Sequence, residues 1–160
     1  MKAQNKATAE NSARNKSLAE QNKHLVQRAV HEIWNNGNYD LLEEFIVKDF
    51  IIHMSNPDEK IHGSTGVIEY YTQLRKAFPD IHFTIDKQVA EDDRVVTQWT
   101  ASGTHDGNFR GIAPTKRKFK ISAIDVERIV DGKVVECWPS IDELSLLQQL
   151  GVTPPSVQQS

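Results

Sequence analysis

The hydrophobic pattern of this chain changes period once along its length, and that change limits the folds open to it. Apolar residues recur at helical spacing within residues 25–34, 41–46 and 67–78. Strand-like runs broken by short turns then follow, at residues 82–90, 94–105, 117–130 and 133–138. Helices that precede a run of antiparallel strands favour an α+β domain over an alternating α/β one.

Turn residues sharpen this prediction near the C-terminus. Asp131-Gly132 lies between two strand-like runs and indicates a two-residue hairpin. Ser140 and Glu143 have capping-box spacing, so a helix is expected over residues 142–150. A long curved sheet with helices on one face can close like a cone. The mouth of such a cone is a natural small-molecule pocket.

The 160 residues suit a single domain, which we place at residues 23–153. Residues 1–22 hold Leu18 as their one large apolar side chain after the initiator methionine. They are therefore expected to form a flexible tail, or a helix that orders only against a partner chain. Residues 154–160 are expected to form a C-terminal tail.

Charge and cysteine content exclude several classes of partner. The net charge of −3 and the pI of about 6.1 give no electrostatic reason to bind nucleic acid or an anionic membrane. No apolar run approaches the roughly 18 residues of a membrane helix. The single cysteine, Cys137, cannot form an internal disulfide and is interpreted as a small buried side chain. A cytoplasmic location is expected.

Five stretches, taken in order, resemble those of the SnoaL-like polyketide or ester cyclases, a family of the nuclear transport factor 2-like superfamily. They read FPDIHFT at 78–84, DRVVTQW at 93–99, GTHDGNFRGIAPT at 103–115, DVERIVDGKVVE at 125–136 and WPSIDELSLLQQLG at 138–151. The resemblance covers roughly residues 24 to 152. It implies a cone-shaped, cystatin-like α+β barrel in which a curved antiparallel sheet is packed by the N-terminal helices.

The resemblance also implies a chemistry that needs no cofactor. In such cyclases a pocket acid removes an activated C–H proton, and an intramolecular aldol reaction closes a ring. Three functions stay open on this fold. The first is an enzyme, a cyclase, isomerase or lyase, that acts on a hydrophobic carbonyl compound. The others are a non-catalytic binding or carrier protein and a protein-interaction module.

Two residues are candidates for catalysis. Asp142 matches the family's acid/base position, although a carboxylate there is also favoured by the dipole of the helix that follows. Arg128 shares a strand face with Ile124 and Val126, where it could hold an enolate or carboxylate. The alternative for Arg128 is an exposed position on the convex face of the sheet.

Four further residues are candidates for substrate binding. His53 ends the first predicted strand, and His105 lies in a Gly-Thr-His turn that it could simply stabilise. Trp99 and Trp138 lie in strands, where aromatic rings form core or pocket walls. The histidines show no metal-ligand spacing, so no metal site is expected.

The sequence departs from the family pattern near the predicted pocket rim. Relatives often carry His and Asp where this chain has Cys137 and Pro139. The pocket is therefore expected to be retuned, or its chemistry lost. We also expect a homodimer, with Phe119, Ile121 and Ala123 forming an apolar stripe on the outside of the sheet.

Overall fold

The computed structural model describes residues 2–56 and 58–152. Its helices are α1 (Lys2–Ala29), α2 (Leu42–Phe45), α3 (Gly63–Ala77) and α4 (Glu143–Gln149). A π-helical turn, Val30–Asn35, continues α1, and a 3₁₀ turn, Tyr39–Leu41, leads into α2. The predicted C-terminal tail lies outside the described residues.

Six strands form one sheet, in the order β2-β1-β6-β5-β4-β3. Their bounds are β1 (Ile46–His53), β2 (Lys60–His62), β3 (His82–Glu91), β4 (Arg94–Thr104), β5 (Lys118–Val130) and β6 (Lys133–Ile141). All neighbouring strands are antiparallel except β1 and β6, which run parallel. The predicted α+β class is confirmed, with one parallel pair that the prediction of antiparallel strands omitted.

The sheet is curved but open, with β2 and β3 as its two edges. Register shifts interrupt three of the strand pairs, at Ile85/Lys87, Arg128/Ile129 and Ile46/Ile51. Such irregularities bend a strand and increase its twist. The bends make one face of the sheet concave, and the helices pack there.

The hairpin between β5 and β6 confirms the sharpest turn prediction. Asp131 and Gly132 have φ values of 49° and 74°. Two consecutive residues with positive φ define a type I′ turn, whose twist matches that of the flanking strands. This turn fixes the register that places Asp125 opposite Pro139.

Residues 2–22 belong to α1 and continue as helix into the domain. Asn22 is buried and donates a hydrogen bond to the Asp92 carbonyl oxygen at 3.4 Å. Whether the segment is a flexible tail or a helix that orders only against a partner chain stays a prediction.

The core forms two clusters on the concave face. The larger joins α1, α2 and α3 to the sheet and includes Ile33, Phe45 and Val67, each 1% exposed or less. The smaller lies toward α4 and is built around Phe78, whose ring meets that of Phe119 at 4.8 Å. Small cavities remain within and between the two clusters.

The apolar stripe of β5 faces this core. The prediction that the stripe lies on the outside of the sheet is therefore wrong. Phe119, Ile121 and Ala123 are 4%, 7% and 4% exposed. The helices pack on the face that carries these side chains, and Lys118, Lys120 and Ser122 are exposed on the other.

Candidate active site

A surface groove opens between α3, β2 and the loop that joins β4 to β5. Its volume is about 420 Å³. Tyr70 and Leu74 of α3 form its inner wall, and Phe109 and Arg110 of the loop face them. We call this the outer groove.

Three smaller cavities continue inward from the outer groove. The apolar chamber, about 50 Å³, shares Tyr70, Leu74, Phe109 and Arg110 with the groove. The middle chamber, about 50 Å³, also contacts Tyr70 and Leu74 and reaches Asp125. The deep chamber, about 40 Å³, shares Asp125 with the middle chamber. Adjacent cavities share wall residues, so they lie in a row between the surface groove and the middle of β5, and we call this row the inner path.

Asp125 is the acidic group at the inner part of this path. It lies on β5 with its side chain on the concave face, where it lines the middle and deep chambers. Burial raises its pKa to about 6, against a hydrogen bond from Trp99 that lowers it. Its buried Oδ1 atom has no hydrogen-bond partner among the described residues. The carboxyl group therefore titrates near neutrality and has an oxygen available for a ligand.

Glu127 lies two residues further along the same face of β5. Burial, together with the charge of Asp125, raises its pKa to about 8. The Thr97 hydroxyl donates to its Oε2 atom at 3.2 Å, and Gln88 in turn donates to Thr97 at 3.2 Å. At neutral pH Glu127 is thus a protonated acid beside an ionised Asp125, so the pair carries about one negative charge.

Two tyrosines and the cysteine complete the walls of the inner path. Burial raises the pKa of Tyr70 and that of Tyr71, so both phenols keep their protons at neutral pH. Tyr71 stacks on Trp34 at 4.1 Å, which orients its ring. Burial also raises the pKa of Cys137 well above its usual value. Cys137 is therefore a buried thiol, as interpreted from the sequence, and a poor nucleophile.

Asp142 lies elsewhere. Its side chain is exposed and caps α4, accepting a hydrogen bond from the Ser145 backbone N–H at 3.0 Å. Asp142 lines neither the outer groove nor the three chambers, and its acid/base role stays a prediction. The N-cap of α4 is Asp142. Ser140, which the sequence predicted for this role, lies instead near the end of β6.

Three other candidates meet on the convex face of the sheet. Arg128 donates to Glu136 Oε1 through Nε at 3.1 Å and through one terminal nitrogen at 2.8 Å. His53 Nε2 lies 2.9 Å from Glu136 Oε2, and its ring stacks on Trp138 at 4.9 Å. Arg128, and then His53, hold the pKa of Glu136 below its usual value. This cluster faces away from Asp125, so Arg128 lies half-buried on the convex face, and the roles of Arg128, His53 and Trp138 stay predictions.

The last two candidates have different settings. Trp99 lines the apolar and middle chambers, and it shares the middle chamber with Asp125. His105 is fully buried, with its ring 5.4 Å from that of Phe78. Its Nδ1 atom accepts from the Thr115 backbone N–H at 3.2 Å, which ties the β4–β5 loop together. The substrate-binding role of both residues stays a prediction.

Asp125 and Glu127 were not among the predicted site residues, although the sequence carries a signal for them. On β5 the odd-numbered side chains, from Phe119 to Ile129, alternate with polar or exposed ones. Period two therefore places both carboxyl groups in an otherwise apolar row. The prediction took the face of Ile124, Val126 and Arg128 as the pocket side of β5. It thereby placed Asp125 and Glu127 on the opposite, outer face.

Within the part of the chain that is described, no helix combines the length and hydrophobicity that a bilayer crossing needs. In the same ranges, His, Cys, Asp and Glu side chains form no group of three that could hold a metal ion. The site consists of paired carboxyl groups, phenols and aromatic rings at the end of an apolar path. Such a site defines a protein that takes a small molecule into its cavity and has acid/base groups there.

Comparison with known proteins identifies the class more closely. Residues 24–150 match the SnoaL-like polyketide cyclase family, to which this chain belongs. Aklanonic acid methyl ester cyclase DauD of Streptomyces sp. (strain C5) is 31% identical over 82% of this chain and 83% of its own. Nogalonic acid methyl ester cyclase of Streptomyces nogalater is 30% identical over 74% of this chain and 89% of its own.

Solved structures share this fold. The hydroxylase candidate AclR from Streptomyces galilaeus superposes with a TM-score of 0.74 at 30% identity, covering 85% of this chain and 99% of its own. IdmH from Streptomyces antibioticus superposes with a TM-score of 0.72 at 30% identity, covering 82% and 99%. The chain is therefore a cyclase-type enzyme for small molecules. The expected family and fold are confirmed.

Proposed function

We propose that this protein is a cofactor-independent cyclase in which Asp125 transfers the proton. The observation that carries the proposal is the buried, unpartnered Oδ1 of Asp125 at the end of the inner path. A carboxyl group with a pKa of about 6 is ionised at neutral pH, yet basic enough to accept a carbon-bound proton.

The proposed reaction conserves all atoms of the substrate. Asp125 removes a proton from a carbon next to a carbonyl group, and an enolate forms. The enolate carbon attacks a second carbonyl carbon of the same molecule, so that one C–C bond forms and its C=O bond becomes an alkoxide. Protonated Asp125 then returns its proton to the alkoxide. Donors on the wall, the phenols of Tyr70 and Tyr71, are suited to stabilise the developing oxyanion.

Glu127 supports this role by staying neutral. If both carboxyl groups were ionised, their repulsion would raise the energy of the anionic enolate beside them. With Glu127 protonated, the Trp99 hydrogen bond can hold Asp125 as the single anion of the site. The substrate is a carbonyl-rich, hydrophobic molecule of the polyketide kind, because the path between the surface and Asp125 is lined mostly by apolar and aromatic side chains.

The experiment compares Asp125→Asn with Asp142→Asn in cyclisation of aklanonic acid methyl ester, the compound named for the relative, and of the corresponding free acid. Asp125→Asn should lower kcat by roughly 10²–10⁴, the range typical of lost acid–base catalysis. Asp142→Asn should keep kcat, since Asn caps α4 as well as Asp does. The reverse pattern would restore Asp142 as the acid/base residue and refute Asp125.

We also propose that the protein forms a homodimer through the convex face of the sheet. Val89, Val96, Val126 and Trp138 lie opposite one another across β3, β4, β5 and β6. Val89 is 69% exposed, Val96 37% and Ile124, on the same face, 46%. A second copy of the chain would cover this apolar row.

The proposed location is cytoplasmic. Its support is the single cysteine, which is buried and free, and therefore suits a compartment that keeps thiols reduced.

A further inference from the structure

Arg110 stands where the outer groove meets the interior. It lines both the groove and the apolar chamber, and so borders any molecule that passes from one to the other. The loop that carries it is locally fixed: Phe109 and Ile112 exchange two backbone hydrogen bonds, at 3.0 and 2.8 Å. Gly111 N–H also donates to Asn108 Oδ1 at 3.0 Å. Arg110 is thus held at this junction by the backbone of its own loop.

The guanidinium of Arg110 already binds a carboxylate. Its two terminal nitrogens donate to the two oxygens of Glu143, each at 3.2 Å. The side chains are 50% and 42% exposed, so solvent weakens the pair. The fork geometry of arginine suits any carboxylate that reaches it, and replacing Glu143 would cost little.

The charges along the path differ between its two ends. Lys60, His62 and Arg110 line the outer groove together with Glu69, and Glu143, which lines the apolar chamber, is paired with Arg110 at the junction. At the inner end lie Asp125 and Glu127. An anionic group would therefore be repelled from the inner end, whereas a neutral carbonyl group can approach Asp125. A ligand carboxylate gains the attraction of Arg110 by replacing Glu143.

From this arrangement we propose that Arg110 anchors a carboxylate of the substrate at the junction, exchanging Glu143 for it. The substrate class is then an elongated, apolar, carbonyl-bearing acid, bound with its carboxylate outward and its reacting carbonyl end inward. This deepens the proposed function, on which it rests. The relatives named above carry methyl ester substrates in their names, so the proposal assigns this chain a free acid instead.

The test measures the binding of two probes by calorimetry: anthraquinone-2-carboxylate and its methyl ester. The wild-type protein should bind the acid about tenfold more tightly than the ester, a difference that corresponds to about 1.4 kcal/mol. Arg110→Gln should remove that preference by weakening acid binding, with ester binding unchanged. Glu143→Gln should do the opposite and strengthen acid binding severalfold, because it frees Arg110 for the ligand.

Lys116→Gln is the matched control, since it removes one positive charge from the same loop. Lys116 pairs with Asp106 on that loop and is exposed. The control should keep the acid preference of the wild-type protein. Equal loss of preference in Lys116→Gln and Arg110→Gln would show general loop charge and overturn the proposal. Equal affinity of the wild-type protein for acid and ester would overturn it as well.

A fourth variant, Asp125→Asn, separates this proposal from the proposed function. Asp125→Asn should retain the acid preference, because Asp125 lies at the other end of the path. If the preference is present while Asp125→Asn cyclises normally, the anchor stands and the acid/base assignment fails. If the preference is missing while Asp125→Asn is inactive, the anchor fails and the acid/base assignment stands.

Discussion

At the scale of single residues, two carboxyl groups on one strand differ in protonation because their surroundings differ. Asp125 keeps a hydrogen bond from Trp99, which favours its ionised form. Glu127 accepts from Thr97 but also experiences the charge of Asp125, and its pKa is the higher of the two. Both values exceed those of the unfolded chain, so the folded protein holds extra protons near neutral pH.

Replacing Glu127 by Gln should raise stability at alkaline pH. The raised pKa of Glu127, about 8 against 4.5, means that its neutral form is stabilising below pH 4.5 and that this contribution is lost as pH rises through 8. Gln keeps the acceptor for Thr97 but cannot ionise. At pH 9 we expect Glu127→Gln to be more stable than the wild-type protein by roughly 2–4 kcal/mol, and nearly equal at pH 4.

Urea unfolding across this pH range provides the measurement. Glu91→Gln, at an exposed position on β3, serves as the control and should leave the pH dependence unchanged. A stability difference for Glu127→Gln that stays constant from pH 4 to 9 would show that Glu127 does not titrate as described.

At the scale of elements, the sequence predicted most of the helices and long strands, since their hydrophobic periods are regular. It missed β2, whose three residues contain a single apolar side chain, Ile61. It also reversed the faces of β5, because carboxyl groups usually mark the solvent side of a strand. Here the apolar neighbours on the same face, and the helices that cover them, override that rule.

Helix α4 offers a test of the capping role of Asp142. Removal of the cap by Asp142→Ala should lower the free energy of unfolding by about 0.5–2 kcal/mol, because the Ser145 N–H loses its acceptor. Asp142→Asn should cost little, since its side-chain oxygen can accept the same bond. Chemical denaturation measures both variants. Equal losses in the two would contradict the assignment of Asp142 as a helix cap.

At the scale of the whole molecule, the concave face holds the candidate site and the convex face carries an unpaired apolar row. The sequence indicated both a cone and an apolar stripe, but it assigned Phe119, Ile121 and Ala123 to the wrong side. The position of the helices decides which side is covered, and that depends on contacts distant in sequence. The same contacts decide the catalytic candidates: period two puts Asp125 in the apolar row of β5, but only the helices packed there show that this row, and not Asp142 at the start of α4, lines the cavities.

The proposed dimer predicts that Val96→Glu makes the protein monomeric. Val96 lies in the middle of the convex row, and two-fold symmetry would bring the new charge near its own copy. Light scattering coupled to size exclusion should show a dimer for the wild-type protein and a monomer for the variant. Because position 96 is exposed, the fold should be preserved. A monomeric wild-type protein at micromolar concentration would refute the dimer.

The pH dependence of kcat/KM for cyclisation tests the central claim, proton transfer by Asp125, most directly. The rate should rise with pH as the Asp125–Glu127 pair loses its first proton near pH 6, and fall as the second leaves near pH 8. Glu127→Gln should remove the fall at high pH and keep the rise. A wild-type profile that is flat between pH 5 and 7, with activity retained in Asp125→Asn, would contradict the account.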